Sequence, residues 1–216
     1  MVRLSRFQRL ALLATSTTVI TGGVLSHGAA FAAPMTPHTA AVTAAAQWKK
    51  ITDTPSGITV QLPGKPQVQK ENSSAVNSRA YLVPTRYGAI GFAVYDCPDA
   101  DAAKPWDLKG GLKGAVDGYN SGDPGAHLRS TDLHAGTTAD GDHYLDAKLV
   151  GRDGKVGHIR FVDHGKQALM VMNVGTGGKR AAVDRDYRQV LDSIKVPDRG
   201  ARDHGLRRPQ GPAVAT

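Results

Sequence analysis

The chain has 216 residues, 27 basic and 19 acidic, with a formal charge of +8 and a single cysteine, Cys97. One cysteine excludes an internal disulfide and a cysteine-type zinc site, so stability must come from packing. Glu71 is the lone glutamate, which excludes a His-Glu zinc-protease helix.

Arg3, Arg6 and Arg9 precede a mostly apolar run, Leu10 to Leu25, and then Ala30-Phe31-Ala32. A charged start, an apolar middle and a small-x-small cleavage signal define a secretory signal peptide over 1–32, cut after Ala32. The pattern lacks a twin-arginine pair, so the general (Sec-type) export route is expected and the mature protein should be secreted. A second apolar run of the ~20 residues needed for a membrane span is not seen, so no membrane span is expected. Removing the three leader arginines lowers the formal charge from +8 to +5. The stretch 33–47, rich in Ala, Thr and Pro, reads as a flexible leader, 48–197 as one domain, and 198–216 as a disordered basic tail with Arg199, Arg202, Arg207 and Arg208.

Within the domain, Trp48 to Ile51 leads into the turn Thr54-Pro-Ser-Gly57. Ile58, Val60 and Leu62 then alternate with Thr59 and Gln61 as in a half-buried strand. Val68 to Arg79 should begin as a strand and fray into a loop. Two further strands, 79–83 and 89–95, flank Pro84 to Gly88, and Asp96-Cys-Pro-Asp99-Ala-Asp101 closes the second as a solvated loop. Those three carboxylates do not make a calcium loop, since the central glycine and terminal Glu are missing. Cys97 reads as a half-buried small side chain.

Asp107 is placed to cap a helix over 108–119, where Leu108, Leu112, Ala115, Val116 and Tyr119 make one apolar stripe. Gly110, Gly111, Gly114 and Gly118 oppose it, each by ~1 kcal/mol relative to Ala. They fall on one flank, which would let a neighbouring segment approach closely. After a strand over 128–133 comes the centre of the chain, a meander of 143–150, 156–163 and 167–174 joined by Asp153-Gly154 and by His164-Gly165-Lys166. Asp-Gly between alternating runs signals a two-residue hairpin turn. A second helix carries Val183, Tyr187, Val190, Leu191 and Ile194 on one face and ends at Val196-Pro197. The fold class is therefore α+β, an antiparallel sheet of about six strands flanked by helices.

Chemistry is harder to find. Neither the Gly-x-Ser-x-Gly elbow nor Ser-x-x-Lys occurs. A two-residue turn at Asp153-Gly154 would pair His143 with His164 and Leu149 with His158. Facing histidines can bind zinc or copper, but a one-residue slip removes the pairing, and solvent-facing strand ends are the simpler reading. An Asp/His hydrolase-like site would need Asp142, His143, Asp163 and His164 to converge beside a pocket. Gly175-Thr-Gly177-Gly178-Lys179-Arg180 links a strand to a helix. Gly177, Gly178, Lys179 and Arg180 could hold an anion on backbone N–H groups and the helix dipole. It is not a Walker loop, because Asn173 and Arg180 replace required residues.

Trp48, the segment Gly57-Ile-Thr-Val-Gln-Leu-Pro-Gly-Lys-Pro66, Tyr81, Tyr95-Asp-Cys-Pro98, Leu108-Lys-Gly, Gly141-Asp-His-Tyr144 and Leu191-Asp-Ser-Ile-Lys195 together resemble a broad group of exported bacterial domains. Their fold is similar to PsbP, the extrinsic protein of the oxygen-evolving photosystem, and to the mycobacterial LpqN-type lipoproteins. The resemblance covers most of 48–196 and implies a PsbP-like sandwich that binds or assists other molecules without catalytic residues. The chain departs from LpqN in having no lipid-bearing cysteine, and its Ala, Gly, Arg and Asp bias suits an actinobacterium. The expected function is a secreted non-enzymatic domain, a monomer without a cofactor, that binds a partner protein, a cell-envelope component or a small apolar ligand. Alternatives are an anion or cell-wall-polymer binder through Lys179, Arg180 and the tail, or a hydrolase-like enzyme with an Asp/His site. Specific nucleic-acid binding is not expected, as the tail arginines have no aromatic partner.

Overall fold

The structure, a computed structural model, describes residues 47–72, 76–97 and 105–197. The leader and tail readings lie outside these residues, as do Pro98 to Asp101 of the closing loop.

Among the described residues nine strands and two α-helices follow one another as β1 (Lys49–Thr52), β2 (Thr59–Leu62), β3 (Gln67–Asn72), β4 (Asn77–Thr85), β5 (Gly88–Asp96), α1 (Leu108–Gly122), β6 (Arg129–Thr137), β7 (His143–Val150), β8 (Lys155–His164), β9 (Gln167–Thr176) and α2 (Arg180–Asp192). Seven strands form one antiparallel sheet in the order β3-β4-β5-β9-β8-β7-β6, and β1 and β2 pair apart from it. The class is α+β with an antiparallel sheet, as expected, though seven strands replace about six.

The meander of β7, β8 and β9 fills the middle and one wing of the sheet. β9 lies at its centre, and every residue from Gln167 to Gly175 is buried. Both faces of the sheet are covered. On one, Leu112, Val116 and Trp106 pack on Leu145, Ile159, Phe161, Met170 and Met172. On the other, Tyr187 and Val190 of α2, Ile58, and Val60 and Leu62 of β2 pack on Phe92, Val94, Val162, Leu169 and Val171. Alternate residues along each strand thus feed two cores, which is why β9 reads as a continuous apolar run. Its polar interior residue Asn173 is bonded at both side-chain atoms: Nδ2 donates to Val183 O at 2.8 Å and Oδ1 accepts from His158 N at 3.0 Å.

Helix α1 forms despite its glycines because its start is fixed and its stripe is buried. Gly110 N donates to Asp107 Oδ1 at 2.9 Å, as the sequence anticipates. Close approach does not explain Gly114, since a Cβ built there meets nothing within 4 Å.

Several boundaries differ from expectation, α1 running on to Gly122 and β6 to Thr137. Lys49–Thr52 is a strand, and Gln67–Asn72 keeps its pairing along its whole length. Helix α2 stops at Asp192 because the next residues turn onto β2: Thr59 N and Lys195 N each donate to the other residue's carbonyl at 2.9 Å, and Gln61 N donates to Ser193 Oγ. The β7–β8 connection is one residue longer than a two-residue turn. Gly151 N donates to Lys155 O, three residues intervene, and Gly154 sits at φ 68°, the left-handed third position that such a loop requires. Among the described residues no helix is long and apolar enough to cross a membrane.

Candidate functional site

The longer β7–β8 loop decides the histidine question. The register pairs Tyr144 with Val162 and Lys148 with His158, so His143 does not oppose His164 and Leu149 does not oppose His158. His164 meets Asp142 instead, Nδ1 donating to Oδ2 at 2.7 Å, both side chains buried. Among the described residues His164 Nε2 has no hydrogen-bond partner. Asp163 belongs to the opposite face, where it accepts from Trp106 N at 2.9 Å and from Gly165 N at 3.0 Å. His143 is exposed. Strand alternation therefore divides the four residues of the Asp/His reading between the two faces of the sheet. Among the described residues no group of three metal-ligating side chains occurs.

His158 Nε2 meets Asp184 Oδ1 at 2.7 Å and its ring stacks on Tyr187 at 4.8 Å, so it fastens α2 to β8.

The Asp142–His164 pair ends a polar belt that crosses the α2 side of the sheet at one end. His164 is paired with Gln167, and Gln167 with Asp96. Gln167 Nε2 donates to Asp96 Oδ1 at 2.6 Å, Arg79 reaches Asp96 Oδ2 at 2.5 Å, and Arg79 also holds the fully buried Asp53. Asp53 further accepts from Tyr81 Oη at 2.8 Å and Ser56 N at 3.1 Å. Burial alone would raise the Asp53 carboxyl, but the hydrogen bonds from Arg79, Ser56 and Tyr81 and the Arg79 charge outweigh it and hold it below its usual value. Burial, then the bond to Asp53, pushes the Tyr81 phenol up to about 12. This belt fastens the β1–β2 hairpin to the sheet. Its partners lie 26 and 28 residues from Asp53, and the only local signal is Asp53-Thr-Pro-Ser56, an Asx-type turn.

A surface groove of about 280 Å³ opens between the start of α1 and the β6–β7 hairpin. Trp106, Leu108 and Lys109 line it from the helix side, and Ala135, His143 and Leu145 from the hairpin. Trp106 is held at both ends, since its backbone N–H bonds Asp163 and its Nε1 donates to Gly165 O at 2.7 Å. The wall is therefore rigid. Across the groove the hairpin is the free wing of the sheet: β6 is an edge strand, broken by a bulge between Thr131 and His134 where Asp132 adopts φ 51°. Such a bulge limits uncontrolled edge pairing.

Gly177, Gly178, Lys179 and Arg180 lie where the sequence places them. Gly177–Lys179 is a single 3-10 turn and α2 begins at Arg180. Lys179, Arg180 and Gly178 are exposed. Gly177 packs on the β7–β8 loop, since a Cβ there would lie 2.8 Å from Gly154 O. Cys97 is half-buried against the α1-side core, as read from sequence. Asp96 is less solvated than its place beside that loop implied, being held by Arg79 and Gln167.

No family model matches this sequence, and neither does any curated protein. The solved structures do match. Cyanobacterial PsbP (CyanoP) from Synechocystis aligns with 74% of this chain and 98% of its own, at 12% identity and a TM-score of 0.50. A protein of unknown function from Pseudomonas aeruginosa aligns with 70% of this chain and 98% of its own, at 11% identity and a TM-score of 0.38. The fold is PsbP-like. At this identity the likeness concerns the fold alone.

Proposed function

We propose that the chain is an exported, non-catalytic binding module, and that the groove between α1 and the β6–β7 hairpin receives an apolar group of a partner protein, envelope component or small ligand. Export rests on the leader read from the sequence, and the accessory role on the resemblance to PsbP-like and LpqN-type domains. The observation that carries the reading is the groove itself, a concave site walled by a tryptophan anchored at both its backbone and its indole. Concave sites with an apolar lining and a few polar groups are the usual seats of ligands. A hydrolase-like reading finds less support, because His143 and Asp163 are separated by the sheet from Asp142 and His164.

Native mass spectrometry of the mature protein taken from its host's culture medium tests this. Ala135 is exposed on the groove wall, so Ala135→Trp should fill the site without disturbing the core. An added mass present on the native protein and lost from the variant supports the proposal. Bare chain in both, or an adduct that survives the substitution, refutes it.

A further inference from the structure

Arg86, Arg129, Arg152, Lys179 and Arg180 are all exposed, and among the described residues none makes an ion pair or side-chain hydrogen bond. They come from four separate places in the sequence and meet at one end of the seven-stranded sheet. The register puts them there: Thr85 pairs with Gly88 around the turn holding Arg86, Gly88 with Gly175, Lys155 with Thr176, and Arg129 with Val150. The turns also touch. Thr176 N donates to Tyr87 O at 3.0 Å, Arg152 N donates to Ala126 O at 2.9 Å, and Gly177 packs on Gly154.

The remaining arginines among the described residues have acceptors. Arg79, Arg160 and Arg185 hold carboxylates, and Arg188 donates to the Asp184 carbonyl. Every described arginine left without one is at this end. The carboxylates nearby are largely engaged, Asp123 with Lys155 and Asp184 with His158; Asp153 lies in the β7–β8 loop. The amino end of α2 opens onto the same surface with no acidic residue in its first turn.

We infer that this end of the sheet binds a linear phosphate-bearing polyanion. The cations are spread from the β4–β5 turn to the start of β6, across six adjacent strands spaced ~4.8 Å apart, about 24 Å in all. A row of that length suits repeated charges better than one small anion. Arginine forks match phosphate oxygens in pairs. Single-stranded nucleic acid fits less well, because base stacking needs exposed aromatic rings and the aromatic of these turns, Tyr87, is buried. The surface is separate from the groove, so either site can fail without the other.

The test is binding of long-chain inorganic polyphosphate to the full mature chain, followed by calorimetry at two salt concentrations. Replacing Arg86, Arg152, Lys179 and Arg180 together by Gln should weaken binding at least about tenfold, because affinity follows the number of phosphates neutralised and falls with salt. The same charge removed at the exposed Lys49, Lys50, Lys70 and Lys166 should change it less than about threefold. Circular dichroism checks that both variants fold. Equal weakening by the two variants, loss only when Arg199, Arg202, Arg207 and Arg208 of the tail are neutralised, tighter binding of single-stranded DNA than of polyphosphate, or no binding at all would overturn the inference.

Discussion

Arg79 grips Asp53 through two parallel hydrogen bonds, Nε to Oδ1 at 2.6 Å and its terminal nitrogen to Oδ2 at 2.8 Å, with the carboxylate entirely out of solvent. Removing one partner of such a pair strands a buried charge, which costs far more than the pair's net contribution. Arg79→Met should therefore destabilise the fold by ~3–5 kcal/mol, whereas the double variant Arg79→Met/Asp53→Leu should recover part of that loss. Urea unfolding measures both.

The same contact sets an acid limit. Asp53 is held below the ordinary carboxylate range, so its contribution to stability is complete above that range and is lost as pH falls through the lower folded value. The unfolding free energy of the native protein should decline below about pH 4, and Asp53→Asn should flatten that part of the profile while lowering stability at neutral pH.

At alkaline pH the sign is opposite for tyrosine. Tyr81 is pushed up to about 12, and Tyr87, Tyr95, Tyr119 and Tyr187 are raised as well, chiefly by burial. Their neutral forms stabilise the fold fully below the ordinary phenol value near 10, and the gain is lost as pH rises through the folded values. Absorbance at ~295 nm should show these five rings ionising together with unfolding rather than along a smooth curve near pH 10.

Gly114 offers a stabilising change. Its Cβ position is empty and it lies inside α1, so Gly114→Ala should gain ~1 kcal/mol from helix propensity. A rise in melting temperature supports this, and a fall would mean that the helix needs the glycine for a reason other than space.

Asp163 positions Trp106. Asp163→Ala removes the acceptor for both the buried Trp106 N and the half-buried Gly165 N, and leaving the buried donor unmatched costs ~1–3 kcal/mol. Tryptophan emission should shift to the red as the indole gains solvent, measured in a Trp48→Phe background because Trp48 is the other tryptophan.

Much of this architecture was legible because strands and helices announce themselves by period. The stripe of α2, the meander and the Asp107 cap are local patterns, and local physics decides them. What the sequence hid was set by pairing at a distance. Asp153-Gly154 is compatible with a two-residue or a three-residue loop, and the contact of Arg152 N with Ala126 O lies outside any short window, yet that one residue redirects His164 from His143 to Asp142. Lys49–Thr52 has no strong strand pattern and becomes a strand because β2 offers it an edge. The five cations of the turns are ordinary in sequence and adjacent only after the sheet is assembled, while Gly177 to Arg180 could be singled out because their glycines and helix start are contiguous.

The return of 193–197 to β2 has a topological consequence. Lys195 pairs with Thr59 on one edge of β2, β1 occupies the other, and Pro197 lies against Gly57. The two ends of the described domain thus lie on opposite edges of β2 and at its opposite ends, Lys49 beside Leu62 and Pro197 beside Gly57, ~10 Å apart across the strands and ~17 Å along them, about 20 Å in all. A Gly-Ser bridge of about 15 residues, with a mean span of ~20 Å, could join them, and the chain could be reopened at Gly165-Lys166, where a two-residue turn already reaches solvent. Such a circular permutant would keep every layer of the sandwich while presenting its new termini at the ends of β8 and β9, in the middle of the sheet.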